Sequence, residues 1–166
     1  MKDLGAEEDN PVRVVVQRVK RAAVWVGGES VAAVGPGLLL YAAFRSDDDA
    51  TALAWMADKV VSLRIFPDDA GKLNRSALDG DGEILVVSQF TLYGDARKGR
   101  RPNFDDAAPA ETARRLFEEF VDRLRASGLT IRVGRFQEHM EVESVNDGPV
   151  TILLDSPTAR SPLTSP

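Results

Sequence analysis

Two hydroxyl side chains and one amide lie close together in the segment SQFTL, residues 88–92. The segment follows an apolar run that begins at Ile84, so these polar groups are predicted to stand where a strand ends and a loop begins. A hydroxyl can act as a nucleophile when a base activates it, but an ordinary strand end can contain the same residues. The segment is therefore a candidate catalytic site, formed by Ser88, Gln89, Phe90 and Thr91.

A second candidate is the segment NDGPVT, residues 146–151, in which Pro149 stands between two apolar runs. Proline has no N–H, so a continuous strand through this point would lack one ladder hydrogen bond. A cis Gly148-Pro149 bond would cost only about 0.5–1 kcal/mol and would aim two carbonyl oxygens roughly the same way. Such a pair could form a rigid polar gate at a binding site. Asn146, Asp147 and Gly148 could equally form an ordinary turn, and composition leaves both interpretations open.

Several familiar catalytic chemistries lack the residues that they need. His139 is the only histidine, cysteine is absent, and Ser88 is not part of a GxSxG elbow. A Ser-His-Asp triad, a thiol nucleophile and a cysteine-ligated metal site are therefore unsupported, and His139 is expected on the exposed surface. Catalytic zinc normally takes three protein ligands that include histidine or cysteine, and residues 79–83 do not fit the spacing of a calcium loop. We expect no metal and no other cofactor.

The formal net charge of −5 argues against a protein that binds nucleic acid mainly by bulk electrostatics, and no DNA partner is expected. Much of the negative charge falls in the leader, residues 1–11, whose own net charge is −3. The chain also contains a local basic cluster, which solvated surface charge would explain equally well. Its members, candidates for contact with phosphates, are Arg97, Lys98, Arg100 and Arg101.

A single domain, residues 12–154, is expected between two polar extensions. Residues 1–11 are acidic and unpatterned, and residues 155–166 are rich in proline, serine and threonine, so both are predicted to be disordered. The longest apolar run, residues 31–44, is interrupted by Gly35-Pro36-Gly37, and the N-terminus does not resemble a signal peptide. We therefore expect a soluble cytoplasmic protein with no membrane partner.

The pattern of apolar residues predicts many strands and two main helices. Continuous apolar character over Leu38–Phe44 is typical of a strand buried on both faces, and Gly27-Gly28 suits a tight hairpin turn. One helix is predicted after the carboxylates of Asp47–Asp49, ending before Pro67, and another from Pro109 to Gly128. The other predicted strands are Val12–Val19, the two arms of Ala23–Val34, Ile84–Phe90, Leu129–Val133, Met140–Val145 and Val150–Leu154. This order predicts an α+β fold with an antiparallel or mixed, barrel-like sheet.

From Val12 to Leu154 the chain resembles the D-aminoacyl-tRNA deacylase family. The resemblance rests on an ordered set of motifs with matching spacing, and this joint order makes it far more specific than any single motif. The motifs are VVVQRV at 14–19, LRIFPDDAGKLN at 63–74, SQFTL at 88–92, GRRPNF at 99–104, GRF at 134–136 and NDGPVT at 146–151.

This resemblance implies an esterase that cleaves the bond between a D-amino acid and the terminal ribose of tRNA. It also implies activity on glycyl-tRNA, including glycine mischarged on tRNA-Ala, because the family's pocket excludes L side chains sterically. The family forms homodimers, in which Gly148-Pro149 of one subunit would enter the other subunit's pocket as a chirality gate. Arg18 would fix the orientation of that dipeptide, and Asn146 and Thr151 belong to the same motif.

The same resemblance suggests how the tRNA end is held. The basic cluster is a candidate for contact with phosphates near the acceptor end. Phe136 is a candidate for stacking on the terminal adenine, although an aromatic side chain in a strand-rich domain is more often part of the core.

An aminoacyl ester beside a ribose hydroxyl is already labile, so the implied reaction needs no triad. Backbone N–H groups near Phe90 and Thr91 could hold the developing oxyanion, and each such donor supplies roughly 2.7–4 kcal/mol. Thr91 could be a nucleophile only with an adjacent base, and none is evident in the sequence. We therefore favour a positioning role for Thr91, with the 2′-hydroxyl of the tRNA assisting, as the resemblance implies.

Two other functions fit part of the sequence. A non-enzymatic, dimeric RNA-binding module would use the basic cluster to hold phosphates and Gly148-Pro149 as a turn, and its binding would depend strongly on salt without ester cleavage. A small-molecule esterase would use Ser88 or Thr91 as a covalent nucleophile, and an acyl-enzyme would then be trapped on that hydroxyl.

Overall fold

A computed structural model describes residues 12–157. Its first three strands are β1 (Arg13–Val26), β2 (Glu29–Val34) and β3 (Gly37–Ala43), and the long β1 pairs antiparallel with both β2 and β3. Gly27 and Gly28 join β1 to β2, with φ angles of 57° and 83° that glycine adopts readily. The predicted hairpin is therefore confirmed.

The strand β1 is longer than the sequence indicated. Two separate strands were predicted, ending at Val19 and restarting at Ala23, but β1 runs without a break through exposed Lys20 and Arg21. Its neighbour changes at this point, because Val19 pairs with Gly37 of β3 and Ala22 pairs with Val34 of β2. The charged residues mark this change of partner and not an end of the strand.

The remaining strands complete a mixed, nearly closed, barrel-like sheet, as predicted. β3 pairs in parallel with β6 (Glu83–Ser88), and β6 pairs in parallel with β7 (Ile131–Val133). β1 pairs antiparallel with β8 (Glu141–Asp155). A small separate hairpin is formed by β4 (Phe66–Pro67) and β5 (Leu73–Arg75).

Two long helices, α1 (Ala50–Ser62) and α3 (Ala110–Arg125), confirm the two predicted ones. Asp49 caps α1 by accepting a hydrogen bond from the Ala52 N–H at 2.8 Å. Pro109 is the N-cap residue of α3, whose first helical residue is Ala110. A single turn, α2 (Ala77–Gly80), and a 3₁₀ helix (Phe90–Tyr93) were not predicted. Among residues 12–157, no helix combines the length and apolarity needed to cross a membrane.

The sheet separates two apolar cores. One core lies between the sheet and the long helices and includes Leu38, Leu40 and Phe120. The other lies on the opposite face of the sheet and includes Leu39 and Leu85. Because alternate residues of a strand point to opposite faces, β3 needs apolar side chains at every position. This confirms the prediction of a strand buried on both faces.

The strand β8 contains the NDGPVT segment as a bulge. Two strands were predicted here, but β8 is continuous and its register against β1 shifts, with Val19 opposite Asn146 and Gln17 opposite Thr151. Residues 147–150 therefore lie opposite Arg18 alone and leave the ladder. Within the described sheet β8 pairs only with β1, so the missing N–H of Pro149 falls at a sheet edge, where proline is tolerated.

The ordered chain continues past the predicted domain boundary. β8 ends at Asp155, and the Ser156 N–H donates to the Val12 carbonyl at 3.0 Å. The boundary predicted after residue 154 thus falls inside β8, because Asp155 pairs with Arg13 across the two strands. Residues 1–11 and 158–166, which hold the rest of the two predicted extensions, lie outside the described residues.

Candidate functional site

The SQFTL segment forms the end of β6 and the start of the 3₁₀ helix. β6 stops at Ser88, and the Gln89 N–H donates to the Ala42 carbonyl of β3 at 2.8 Å. The strand predicted to reach Phe90 therefore ends earlier, because residues 90–93 turn into the 3₁₀ helix. Phe90 is 54% exposed, and the Gln89 side-chain amide donates a hydrogen bond to the Thr91 hydroxyl. The segment thus presents two exposed side chains and the N-terminal end of a short helix.

A cavity of about 560 Å³ opens beside this segment. One side is formed by the chain around Ser88, and the opposite side by the loop between β7 and β8. The start of α3 and part of β8 complete the wall. The lining residues are Val87, Ser88, Gln89, Phe90, Ala108, Ala110, Ala113, Phe136, Gln137, Glu138, His139, Met140 and Val142. This size and mixed lining are typical of a small-molecule site.

Phe136 belongs both to the core and to the cavity wall. Its half-buried ring packs 5.9 Å from the ring of Phe117 on α3. The Arg114 guanidinium lies 4.7 Å above the Phe136 ring, in cation–π geometry, and Arg114 Nη2 is 3.4 Å from Gln137 Oε1. The two interpretations offered for Phe136 from sequence, core residue and ligand contact, are therefore geometrically compatible.

Most of the loop that lines the cavity together with Phe90 was not predicted from the sequence. Gln137, Glu138, His139 and Met140 line the cavity, although His139 is also exposed, as predicted. They reach Ser88 because β6 and β7 pair in parallel and the Gly134 N–H donates to the Val86 carbonyl at 2.9 Å. Their only sequence signal was the neighbouring GRF motif, since nothing in their own types indicates a site.

The NDGPVT bulge is stabilised from within. The Val150 N–H donates to Asn146 Oδ1 at 3.0 Å, and Asn146 Nδ2 donates to the Thr151 hydroxyl at 3.0 Å. Gly148 and Pro149 are exposed at its tip, and the peptide bond between them is cis. Asn146 and Thr151 therefore close the base of a projecting loop whose tip is available for contact.

Arg18 anchors this loop to a neighbouring segment of the chain. Its side chain is 12% exposed, Nε donates to the Asp147 carbonyl at 3.0 Å, and Nη1 donates to the Ile65 carbonyl at 2.8 Å. The guanidinium thus ties the bulge to the segment that precedes β4. The rigid, planar fork of arginine can bridge two such acceptors at once, which a lysine cannot do in the same geometry.

The tip of the NDGPVT loop does not line the cavity beside SQFTL in the same chain. Neither Gly148 nor Pro149 is among the residues that line the cavity beside Ser88. The loop tip instead projects from β8, the strand at the sheet edge.

The basic cluster lies on an exposed loop. Backbone hydrogen bonds of 2.8 Å in both directions between Asp95 and Asn103 close the base of this loop. Arg97 binds the Asp95 carboxylate at 2.7 Å, and this hydrogen bond lowers the Asp95 pKa to about 2. Arg97 is therefore partly neutralised. The other members of the cluster, Lys98, Arg100 and Arg101, are exposed, and none of the four lines the cavity.

A buried polar side chain forms the last residue of the 3₁₀ helix. Tyr93 is buried, and burial raises the pKa of its hydroxyl. Asp48 is partly buried, and desolvation raises its pKa to about 6, although its carboxylate accepts the Arg45 N–H at 2.6 Å. The Arg45 guanidinium opposes the rise in the Asp48 pKa, and the guanidinium groups of Arg13 and Arg45 oppose the rise in the Tyr93 pKa. Ionisable side chains therefore lie close to the C-terminal end of the helix that carries Thr91.

The sequence model of a known family, described as D-Tyr-tRNA(Tyr) deacylase, matches residues 15–155. The chain belongs to this deacylase family. A D-aminoacyl-tRNA deacylase of Symbiobacterium thermophilum is 57% identical over 145 residues, which cover 87% of this chain and 96% of the relative. A second one, of Thermomicrobium roseum, is 54% identical over 149 residues, which cover 90% of this chain and 97% of the relative.

Two solved structures share this fold. A protein described as c-Myc DNA Unwinding Element Binding Protein superposes with a TM-score of 0.83 at 42% identity, covering 88% of this chain and 99% of that one. A structure described as a probable eukaryotic D-amino acid tRNA deacylase superposes with a TM-score of 0.77 at 20% identity, covering 87% and 98%. The second supports the fold alone. The name of the first refers to DNA, and the expectation that this deacylase has no DNA partner stays a prediction.

Membership confirms the enzyme class predicted from sequence. The protein is a hydrolase of the D-aminoacyl-tRNA deacylase family, and that family acts on aminoacyl-tRNA. The family model covers both candidate motifs, SQFTL and NDGPVT, as well as Arg18 and the basic cluster.

Proposed function

We propose that this protein hydrolyses the ester bond between a D-amino acid and the terminal ribose of tRNA, and that it rejects L-aminoacyl substrates. The observation that carries the proposal is the position of SQFTL at the rim of a 560 Å³ cavity in a chain of the deacylase family. Because this site lies at the exposed rim of the cavity, most of a large substrate such as tRNA would stay outside the cavity. The cavity itself would receive only the end of the tRNA.

We assign the cavity to the terminal adenosine. Phe136 and Met140 offer an aromatic ring and a thioether for stacking, and Gln137 and Glu138 offer polar atoms for the edge of a base. The Arg114 guanidinium over Phe136 would keep that ring in one orientation. With the base in this cavity, the ester would lie near Phe90 and Thr91.

The chemistry follows from the start of the 3₁₀ helix. The first N–H groups of a helix have no acceptor within it, so those of Phe90 and Thr91 can bind the oxyanion that develops on the ester carbonyl. Each such donor contributes roughly 2.7–4 kcal/mol to the transition state. Gln89 orients the Thr91 hydroxyl, which positions water or the ester. The adjacent 2′-hydroxyl of the ribose assists, and no covalent intermediate forms.

Chiral selection is assigned to the tip of the β8 bulge. The carbonyl groups of Gly148 and Pro149 would bind the substrate amino group, and the backbone there would block an L side chain. Arg18 supports this role because it holds the preceding residue, Asp147, by its carbonyl. Glycine attached to tRNA, including tRNA-Ala, would be accepted because it has no side chain to clash.

The gate would act across a homodimer. The tip does not line the cavity of its own chain, and β8 lies at the sheet edge with Leu153 58% exposed. An open edge and exposed apolar side chains favour association with a second copy. Each complete site would then combine one subunit's cavity with the other subunit's Gly148-Pro149.

The basic cluster is assigned to tRNA phosphates near the acceptor end. Lys98, Arg100 and Arg101 are exposed on the loop that follows the 3₁₀ helix. Arg97 would contribute less, because Asp95 already binds it. Contacts of this kind position the substrate without reading its sequence.

We expect the purified protein to deacylate D-tyrosyl-tRNA and glycyl-tRNA and to leave L-tyrosyl-tRNA intact. Release of labelled amino acid from matched substrates measures this directly. Equal cleavage of both enantiomers would contradict the gate. Salt-dependent tRNA binding without cleavage would indicate an RNA-binding module instead, and an acyl group trapped on Ser88 or Thr91 would indicate an esterase with a covalent nucleophile.

We expect Thr91→Ala to keep a substantial part of the wild-type kcat on D-tyrosyl-tRNA, because backbone donors carry the main stabilisation. Loss of a true covalent nucleophile costs on the order of 10⁶ in kcat. Single-turnover rates distinguish a positioning role of Thr91 from a role as covalent nucleophile, and Thr91→Ser is the control that retains the hydroxyl. If both variants fold, complete loss of activity in Thr91→Ala together with full activity in Thr91→Ser would indicate that Thr91 is the nucleophile.

A further inference from the structure

Arg13 contacts the far end of the helix that carries Thr91. Its Nη1 donates to the Leu92 carbonyl at 3.2 Å, and its guanidinium lies 5.5 Å from the centre of the Tyr93 ring. Both acceptors belong to the 3₁₀ helix, whereas Arg13 is the first residue of β1. The contact therefore joins residues 79 positions apart in the chain.

A second interaction fixes the guanidinium itself. Arg13 Nε donates to Asp155 Oδ1 at 2.9 Å, and Nη2 donates to Asp155 Oδ2 at 3.4 Å. This two-point geometry leaves the planar group little rotational freedom. The Arg13 side chain is 23% exposed, so water competes with these bonds less than at an open surface.

The 3₁₀ helix needs such external support. One backbone hydrogen bond closes its first turn, from the Leu92 N–H to the Gln89 carbonyl at 3.2 Å, and one closes its last turn, from the Gly94 N–H to the Thr91 carbonyl at 2.9 Å. Short 3₁₀ helices have poor hydrogen-bond geometry and little stability of their own. The N-terminal end of the helix is held separately, by the hydrogen bond from the Gln89 N–H to the Ala42 carbonyl. At its C-terminal end, Arg13 adds side-chain contacts to the backbone bond of the last turn.

We propose that Arg13 is a positioning residue for the reaction, which, oriented by Asp155, fixes the 3₁₀ helix so that the Phe90 and Thr91 N–H groups face the ester. This inference rests on the proposed function of those groups. Arg13 does not line the cavity beside Ser88. Its effect passes through the Leu92 carbonyl and the Tyr93 ring to the helix.

The alternative is that Arg13 has a purely structural role and only links β1 to β8 through Asp155. These strands already share a backbone ladder from Arg13–Asp155 to Trp25–Glu141, so one further ion pair adds little to their pairing. The chain offers a matched control, because the Trp25 Nε1 group donates to Glu143 Oε2 at 3.1 Å near the other end of the same strand pair. That contact also joins β1 to β8, but it lies far along the strand from the 3₁₀ helix.

The test compares Arg13→Gln, Arg13→Lys, Asp155→Ala and the control Glu143→Ala in steady-state cleavage of D-tyrosyl-tRNA. We expect Arg13→Gln to lower kcat about 10- to 100-fold with little change in KM, since small displacements of catalytic groups have effects of this size. Asp155→Ala should lower kcat less, and Arg13→Lys should recover only part of the rate. Glu143→Ala should match the wild type.

Hydrogen exchange supplies a readout that does not depend on activity. In Arg13→Gln and Arg13→Lys, the amides of Leu92 and Gly94 should exchange faster than in the wild type, while amides in the middle of β1 and β8 keep their rates. Unchanged exchange at these two amides would overturn the proposal even if the wild type proved inactive on D-tyrosyl-tRNA. The proposal would also be overturned if Glu143→Ala lowered kcat as much as Arg13→Gln does.

Discussion

Replacing Gly148 by alanine is expected to lower kcat/KM for D-tyrosyl-tRNA by at least about 100-fold and to reduce the preference for the D enantiomer. Gly148 has a φ angle of 136°, a region that residues with a side chain rarely adopt. An added Cβ would also lie 2.9 Å from Val150 Cγ2, 3.0 Å from the Val150 nitrogen and 3.2 Å from Arg18 Nη2. The tip must therefore move to accept the methyl group.

The chain contains a suitable control for this substitution. Gly28, in the β1–β2 turn, also has a positive φ angle, 83°, but a Cβ there would meet no atom within 4 Å. Gly28→Ala should therefore reduce stability modestly and leave both kcat/KM and enantiomer preference near the wild-type values. Similar kinetics for Gly148→Ala and wild type, with D- and L-tyrosyl-tRNA compared side by side, would remove the tip of β8 from the mechanism.

Mixing experiments can show whether the gate acts across subunits. Ala110 lines the cavity at the start of α3, and Ala110→Trp should fill that space while leaving β8 intact. If the gate enters the partner's cavity, co-refolded Gly148→Ala and Ala110→Trp chains should recover activity that neither variant has alone. Each mixed dimer would contain one site with a normal cavity and a normal gate. Absence of recovery in mixed dimers verified by mass would show that both parts act within one chain.

Replacing Arg18 by alanine is expected to lower kcat/KM for D-tyrosyl-tRNA roughly 10- to 100-fold. The substitution leaves the Asp147 and Ile65 carbonyls without their guanidinium partner, and an unsatisfied buried group costs about 1–3 kcal/mol. The bulge would relax to regain hydrogen bonds, and Gly148-Pro149 would lose its orientation. Arg18→Lys should also be impaired, because one ammonium group cannot hold both carbonyls in this geometry.

Lys20→Ala is the matched control for Arg18→Ala. Lys20 is exposed on the same strand and carries the same charge, so its loss should weaken tRNA binding slightly at most. The double variant Arg18→Ala with Gly148→Ala should be less impaired than the product of the two single effects, because both act on one loop. Strict multiplication of the two effects would indicate that Arg18 and Gly148 contribute independently.

The two long helices and the central strand were predictable because their signals are local. Asp49 caps α1, and the apolar run of β3 reflects burial on two faces, so each follows from neighbouring residues. The SQFTL and NDGPVT motifs likewise identified the family from the order of residues alone. Local patterns of this kind depend on a few consecutive positions, which a single sequence displays directly.

Tertiary structure decided how these pieces meet. The register of β8 against β1 sets residues 147–150 opposite Arg18, and the sequence predicted two strands there because nothing local encodes a shift in pairing. The parallel pairing of β6 with β7 brings residues 136–140 to Ser88 and so creates the cavity. The bond from Arg13 to the Leu92 carbonyl arises in the same way. The sequence by itself thus determined the fold class, the family and the candidate motifs. Contacts between distant segments depend on strand register and packing, and those are settled only when the whole chain folds.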